Sequence, residues 1–217
     1  MKFNIKRKGC KDTFNSFLVS NASFDGNLEF PIIKKDNKIP NDLILFSKCI
    51  SSKNNNYWVH FYEDDVHFER IWKNPQKYLS ILKRYNGVIT PDFSLYRDLP
   101  LVQQEWNIYR SRAIGSWLQE KGINVIPNVR FGDKRTYSFC CLGIEKGSII
   151  AIGTHGNLKD LEDRQVFEEG LDYVIRKIQP KAVIVYGKAP KTIFDKYNSV
   201  TKIYQFESDF GISRRKN

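Results

Sequence analysis

The chain has 217 residues, 41% of them hydrophobic and 14% aromatic, which fits one α/β unit with a substantial core and excludes wholesale disorder. Thirty-five Lys and Arg against 24 Asp and Glu give a formal charge of +11, which favours approach to polyanions such as nucleic acid or nucleotides without naming the partner. No apolar run nears the roughly 18 residues of a membrane span, and the basic N-terminus lacks the apolar stretch of a secretory signal, so a cytoplasmic protein is expected.

Residues 1–41 mix Gly, Asn and Lys with scattered aromatics and little periodicity, which predicts an irregular basic arm laid on a single α/β domain spanning 42–217. Much of the positive excess sits at the two ends, in Lys2, Lys6, Arg7, Lys8 and Lys11, and in Arg214, Arg215 and Lys216. Solvated tails explain it as well as contact with nucleic acid does.

From residue 42 onward, short apolar runs read as strands: LILF (43–46), YWVHFY (57–62), GVIT (87–90), INVI (123–126), SIIAI (148–152), AVIVY (182–186) and KIYQF (202–206). Most are continuous rather than alternating, as in strands covered on both faces. Helices are expected between them. Asn74 and Pro75 form an N-terminal signal before KYLSILKRY. Pro100 opens the longest helix, with Val102, Trp106, Tyr109, Ala113 and Trp117 predicted as its buried stripe and Gly122 at its end. A third helix runs over 162–178 and stops before Pro180. Alternating strands and helices predict a mostly parallel sheet of about seven strands with helices on its faces, either an open doubly wound sheet or an incomplete barrel. The four cysteines, Cys10, Cys49, Cys140 and Cys141, lack zinc-ligand spacing and are expected to be reduced and near the core.

Ligands of parallel α/β folds bind where the strands end, because loops and helix starts converge there. The loops after the predicted strands carry Asp65, Asp92, Arg97, Arg130 and the GTHG turn with Thr154 and His155. Asp92 is the favoured acid/base or metal ligand, since carboxylates from different strand ends could hold a divalent cation or move a proton. Asp65 is a second candidate, with a plain helix cap as its alternative. Gln103, Asn107 and Arg110 form a polar stripe expected to face the same rim, with Arg97, Arg110 and Arg130 neutralising phosphate. The glycine-flanked Thr154 and His155 suit backbone contact to an anion, with His155 as a proton donor. On this scheme Trp106→Ala destabilises through lost burial, whereas Asn107→Ala chiefly impairs binding.

The segments TPDFSLYRDLP (90–100), WNIYRSRAIGSWLQEKG (106–122), VIPNVRFGD (125–133) and GSIIAIGTHG (147–156) resemble, in this order, an uncharacterised domain-of-unknown-function family of bacterial phages and mobile genetic elements. The resemblance implies a mobile-element setting and no catalytic roles. One departure is Leu142, near which the family pattern leads us to expect an acidic residue. The leading expectation is a protein acting on a phosphate-bearing substrate, nucleotide or nucleic acid, by phosphodiester or glycosidic chemistry. The alternative is a non-catalytic accessory protein that binds nucleic acid or a host protein through its basic surface.

Overall fold

The computed structural model describes residues 12–156, 158 and 160–208. The basic residues singled out at the two ends, and Cys10, lie outside the described residues. Those between 12 and 41 are not wholly irregular. A 3-10 turn (Ser16–Val19) precedes a short hairpin of β1 (Phe24–Asp25) and β2 (Phe30–Pro31), and Leu18, Phe30 and Ile33 are buried in the main cores.

Seven parallel strands follow, each inside or beside a run expected from the sequence. They are β3 (Leu43–Leu45), β4 (Trp58–His60), β5 (Gly87–Ile89), β6 (Val125–Ile126), β7 (Ile149–Gly153), β8 (Ala182–Tyr186) and β9 (Lys202–Phe206). The helices are α1 (Phe46–Cys49), α2 (Asp65–Lys73), α3 (Pro75–Leu82), α4 (Leu101–Glu120), α5 (Leu161–Ile178) and α6 (Lys191–Phe194). Asn74 caps α3 through its side chain, which accepts from the Lys77 amide, with Pro75 in the first turn. Gly122 ends α4 at φ +83°, a conformation that a Cβ would oppose.

The strands form two sheets, β3-β4-β5-β6 and β7-β8-β9, rather than one of seven. A single parallel bridge between Asn128 and Ala151 joins them: the Ala151 amide donates to Pro127 and the Val129 amide to Ala151. The ladder breaks there for a local reason. Pro127 has no N–H to offer β7, while the Asn128 amide faces the other way, towards β5, and donates to the Thr90 hydroxyl. Neighbours in both sheets follow sequence order, so neither contains the order reversal of a doubly wound sheet.

Successive strand residues face opposite ways and fill three cores. Trp58, Ile89, Ile126, Ile149, Ala151, Ala182 and Ile184, drawn from both sheets, form one cluster. Their neighbours Val59, Val88 and Val125 pack against Phe68, Leu82 and Ile114 of α2, α3 and α4. Ile150, Ile152, Val183 and Val185 pack against Leu171 and Val174 of α5. Strands covered on both faces account for the continuous apolar runs.

The expected stripe of α4 holds at Ala113 and Trp117, which are buried, and is corrected at its start. Val102 is 71% and Trp106 40% exposed, while Arg110, Ser111 and Arg112 are buried. The first half of this helix is held by polar contacts to loops: Gln104 donates to the Leu99 carbonyl and Asn107 to the Ser94 carbonyl. Trp106 instead lies outside, stacked on Tyr109 and edge-on to Trp72. Cys49, Cys140 and Cys141 are free and buried. Among the described residues no helix is long and apolar enough to cross a membrane.

Candidate functional site

The strand ends open into a cleft with two lobes, of about 340 Å³ and about 730 Å³, which share Asp92, Tyr96, Arg130, Gly153 and His155 as walls. Arg97, Phe131 and Asp163 help to line the smaller lobe, and Lys48, Tyr62, Asp64, Asp65 and Tyr186 the larger. The cleft is placed by topology: β4, β5, β6, β7 and β8 run parallel, so the residues that follow them reach one rim.

Asp92 sits at the seam, three residues past β5 and only 8% exposed. Its Oδ2 accepts from Arg130 Nη1 at 2.5 Å and its Oδ1 from Asn128 Nδ2 at 2.7 Å. Burial raises its proton affinity above the usual carboxyl range, against the opposing pull of Arg130 and the Asn128 hydrogen bond. Arg130 is partly exposed and lines both lobes. Only one of its nitrogens meets Asp92, which leaves donor capacity at the cleft wall.

Behind Asp92 lies a buried scaffold. The Tyr62 hydroxyl donates to Asn128 Oδ1 at 2.9 Å, and burial lifts the Tyr62 phenol well above its ordinary range, with the Asp92 charge adding to it. The Tyr62 ring stacks on Tyr186 with centroids 4.9 Å apart, and His60 packs against both rings. Gly153 is required here, since a Cβ would come within 2.8 Å of the Tyr62 ring. Arg112, 1% exposed, donates to the carbonyls of Asn128, Cys140 and Leu142. Burial lowers its pKa to about 10. Leu142, where an acidic residue was expected, thus serves Arg112 through its backbone and packs against the second core.

Asp92, Arg130 and His155, from three different strand ends, line the same cleft. The remaining residues singled out in the sequence are placed differently. Asp65 does not cap α2; it is the first residue of that helix, and its carboxylate accepts from the amide and hydroxyl of Ser94, tying two strand-end loops together. Arg97 reaches the smaller lobe with its guanidinium engaged by Glu162 and Asp163. Thr154 is buried and pins its turn to the carbonyls of Tyr186 and Lys188. The stripe of α4 does not face the two lobes. Gln103 is exposed away from them, and Arg110 is clamped between Glu69, Asn107 and the face of Phe93. Among the described residues no group of three or more His, Cys, Asp or Glu side chains is arranged to hold a metal ion.

Sequence reasoning gave no role to Asn128, Tyr62, Tyr186 or Arg112. The first three were visible at strand ends, but asparagine and tyrosine there carry no chemical signature until their partners are known. Nothing in the helical pattern distinguishes Arg112 from a surface arginine.

A family model described as a domain of unknown function, DUF4417, matches residues 22–207. The chain belongs to this family. Two relatives carry the name Gene 1 protein: that of Mycobacterium phage L5 is 38% identical over 130 residues, and that of Mycobacterium phage D29 is 36% identical over 130 residues. The match covers 60% of this chain in both cases, and 57% and 48% of the relatives. The chain therefore spans about half the length of the curated relatives it matches. No solved structure matches it. Family membership and phage relatives agree with the phage-associated setting that the motifs imply.

Proposed function

We propose that the strand-end cleft binds a small phosphate-bearing substrate of the nucleotide type, and that Asp92 acts there as general acid or base while Arg130 neutralises phosphate charge. The observation that carries this reading is the Asp92–Arg130 pair at the seam of the two lobes. A carboxyl with raised proton affinity and a guanidinium with uncommitted donors stand side by side at a concave surface. His155, which lines both lobes with them, would bind a leaving oxygen. The two sheets are then successive arcs of one incomplete barrel. The cluster shared by β4 to β8 is its filled interior, and the bridge at Asn128 is the joint that brings the seam residues together.

The test is a turnover screen against nucleoside mono-, di- and triphosphates and short oligonucleotides, with and without magnesium, on wild type and Asp92→Asn. Turnover should fall at least about 100-fold in Asp92→Asn, the usual size of an acid–base contribution. Full activity in that variant, or no turnover of any substrate in either buffer, contradicts the proposal.

The charge distribution favours a second reading, that of an accessory protein that binds nucleic acid or a host protein outside the cleft. The larger lobe is lined by Glu63, Asp64, Asp65 and Asp92 against Lys48 and Arg130, so the excess of positive charge lies elsewhere on the chain. Binding to oligonucleotides that weakens with salt and is indifferent to Asp92→Asn and Arg130→Gln would support this reading.

A further inference from the structure

Asn128 is 3% exposed and engaged at all four of its polar points. Its amide N–H donates to Thr90 Oγ1 at 2.9 Å, its carbonyl accepts from Arg112 at 2.9 Å, its side-chain oxygen accepts from the Tyr62 hydroxyl at 2.9 Å, and its side-chain nitrogen donates to Asp92 at 2.7 Å. The backbone bonds fix where the residue sits. They do not fix which end of the carboxamide faces Asp92, because the two ends have nearly the same shape.

We infer that Tyr62 and Asn128 are positioning residues for Asp92: the Tyr62 hydroxyl holds the Asn128 amide oxygen, so that the NH2 end meets Asp92 Oδ1 and the carboxylate keeps Oδ2 turned to Arg130 and the cleft. This rests on the reading of Asp92 as the reacting group. Two arrangements of the hydrogen bonds compete. In the observed one, hydrogen bonds run from Tyr62 to Asn128 to Asp92, and Asp92 is an acceptor. In the reversed one, Asp92 holds a proton and donates it to the amide oxygen, while the NH2 turns to Tyr62. A phenol that donates to the amide oxygen opposes the reversed arrangement and with it the protonated acid.

The hydroxyl is not needed to locate the ring. Stacking on Tyr186 and the close approach of Gly153 already do that, so Tyr62→Phe should keep the ring in place and remove only the orienting donor. Asp92 also feels Arg130 after β6 and Asp65 at the start of α2, and Tyr186 at the end of β8 and His155 after β7 line the same lobe. None of these is altered by the substitution. The titration of Asp92 therefore isolates the contribution of the Tyr62–Asn128 pair.

The experiment is a carbon-13 NMR titration of the Asp92 carboxyl on the full chain without added ligand, the resonance being assigned by its loss in Asp92→Asn. Tyr62→Phe and Asn128→Ala should each move the midpoint upward by about one pH unit, the effect of losing a donor to the charged form. Tyr85→Phe serves as a control for mere loss of a phenol bond, because the Tyr85 hydroxyl donates to the Cys49 carbonyl away from the cleft; it should leave the midpoint in place. An unmoved or lowered midpoint in Tyr62→Phe overturns the inference, as does an equal shift in Tyr85→Phe. Failure of the parent reading shows elsewhere, as undiminished turnover in Asp92→Asn.

Discussion

Two clusters of this protein have the same composition and opposite meaning. At the cleft, Arg130, Asp92 and Asn128 form one triplet; between α2 and α4, Arg110, Glu69 and Asn107 form another. In the second, Arg110 meets both Glu69 oxygens and Asn107 and lies 3.8 Å from the Phe93 ring centroid, so it locks two helices and a loop together. In the first, one guanidinium nitrogen holds Asp92 while the rest of the group borders open space. An arginine, a carboxylate and an asparagine do not define a site. What separates the two is whether both terminal nitrogens of the guanidinium are held by protein partners and whether a concave surface lies beside them.

The largest effect that tests this contrast is on stability, at the closed cluster. Glu69→Ala leaves Arg110 buried without its counter-charge and should cost about 3 kcal/mol in urea denaturation, with ligand binding at the cleft unchanged. Loss of binding at equal stability would show that the closed cluster takes part in the site. Next in size is Gly153→Ala. The added methyl would meet the Tyr62 ring, and overpacking of this kind costs about 1–3 kcal/mol. The same change should disturb the ring that supports Asn128, so a melt lowered with Asp92 titration unchanged would separate packing from positioning.

A smaller pair levels the ranking expected from the sequence. Trp106 is 40% exposed, and its replacement by Ala should cost about 1–2 kcal/mol, well short of a core tryptophan. Asn107→Ala removes contacts to Ser94 and Arg110 and should cost a similar amount, with no change in ligand affinity. Thermal melts of both variants decide it.

The smallest effect concerns pH. Asp92 keeps its proton to higher pH in the folded chain than in the unfolded one, so both states are protonated at low pH and the group is then neutral to stability. Across the window from the ordinary carboxyl value up to the raised folded one, the unfolded state ionises first and the fold loses stability. Asp92→Asn lacks this loss, so its stability relative to wild type should rise through that window and then level off. A relative stability that falls with pH would mean that the Arg130 pairing outweighs burial.

The seven strands and the helices α3, α4 and α5 were legible in the sequence because their signals are local: continuous apolar runs, Asn74 with Pro75, Pro100, Gly122. The division into two sheets was not, since it depends on β6 and β7 meeting only at the bridge between Asn128 and Ala151, beside a proline that offers no N–H. Asp92, Arg130 and His155 could be placed on one cleft because parallel strands deliver their ends to one rim. The rotation of α4 could not be read, because its buried face is partly polar, with Arg110 held by Glu69 and Asn107 and Arg112 by loop carbonyls distant in sequence. Periodicity assigns such residues to solvent.

The most direct test of the central claim compares the two arginines. Titration calorimetry with inorganic pyrophosphate on wild type, Arg130→Gln and Arg110→Gln should show affinity reduced at least about tenfold by Arg130→Gln, the loss of a charge-assisted contact. Arg110→Gln should bind as wild type does while unfolding at lower urea. If Arg130→Gln binds as wild type does, or if Arg110→Gln is the variant that loses affinity, the cleft at Asp92 and Arg130 is not the anion site.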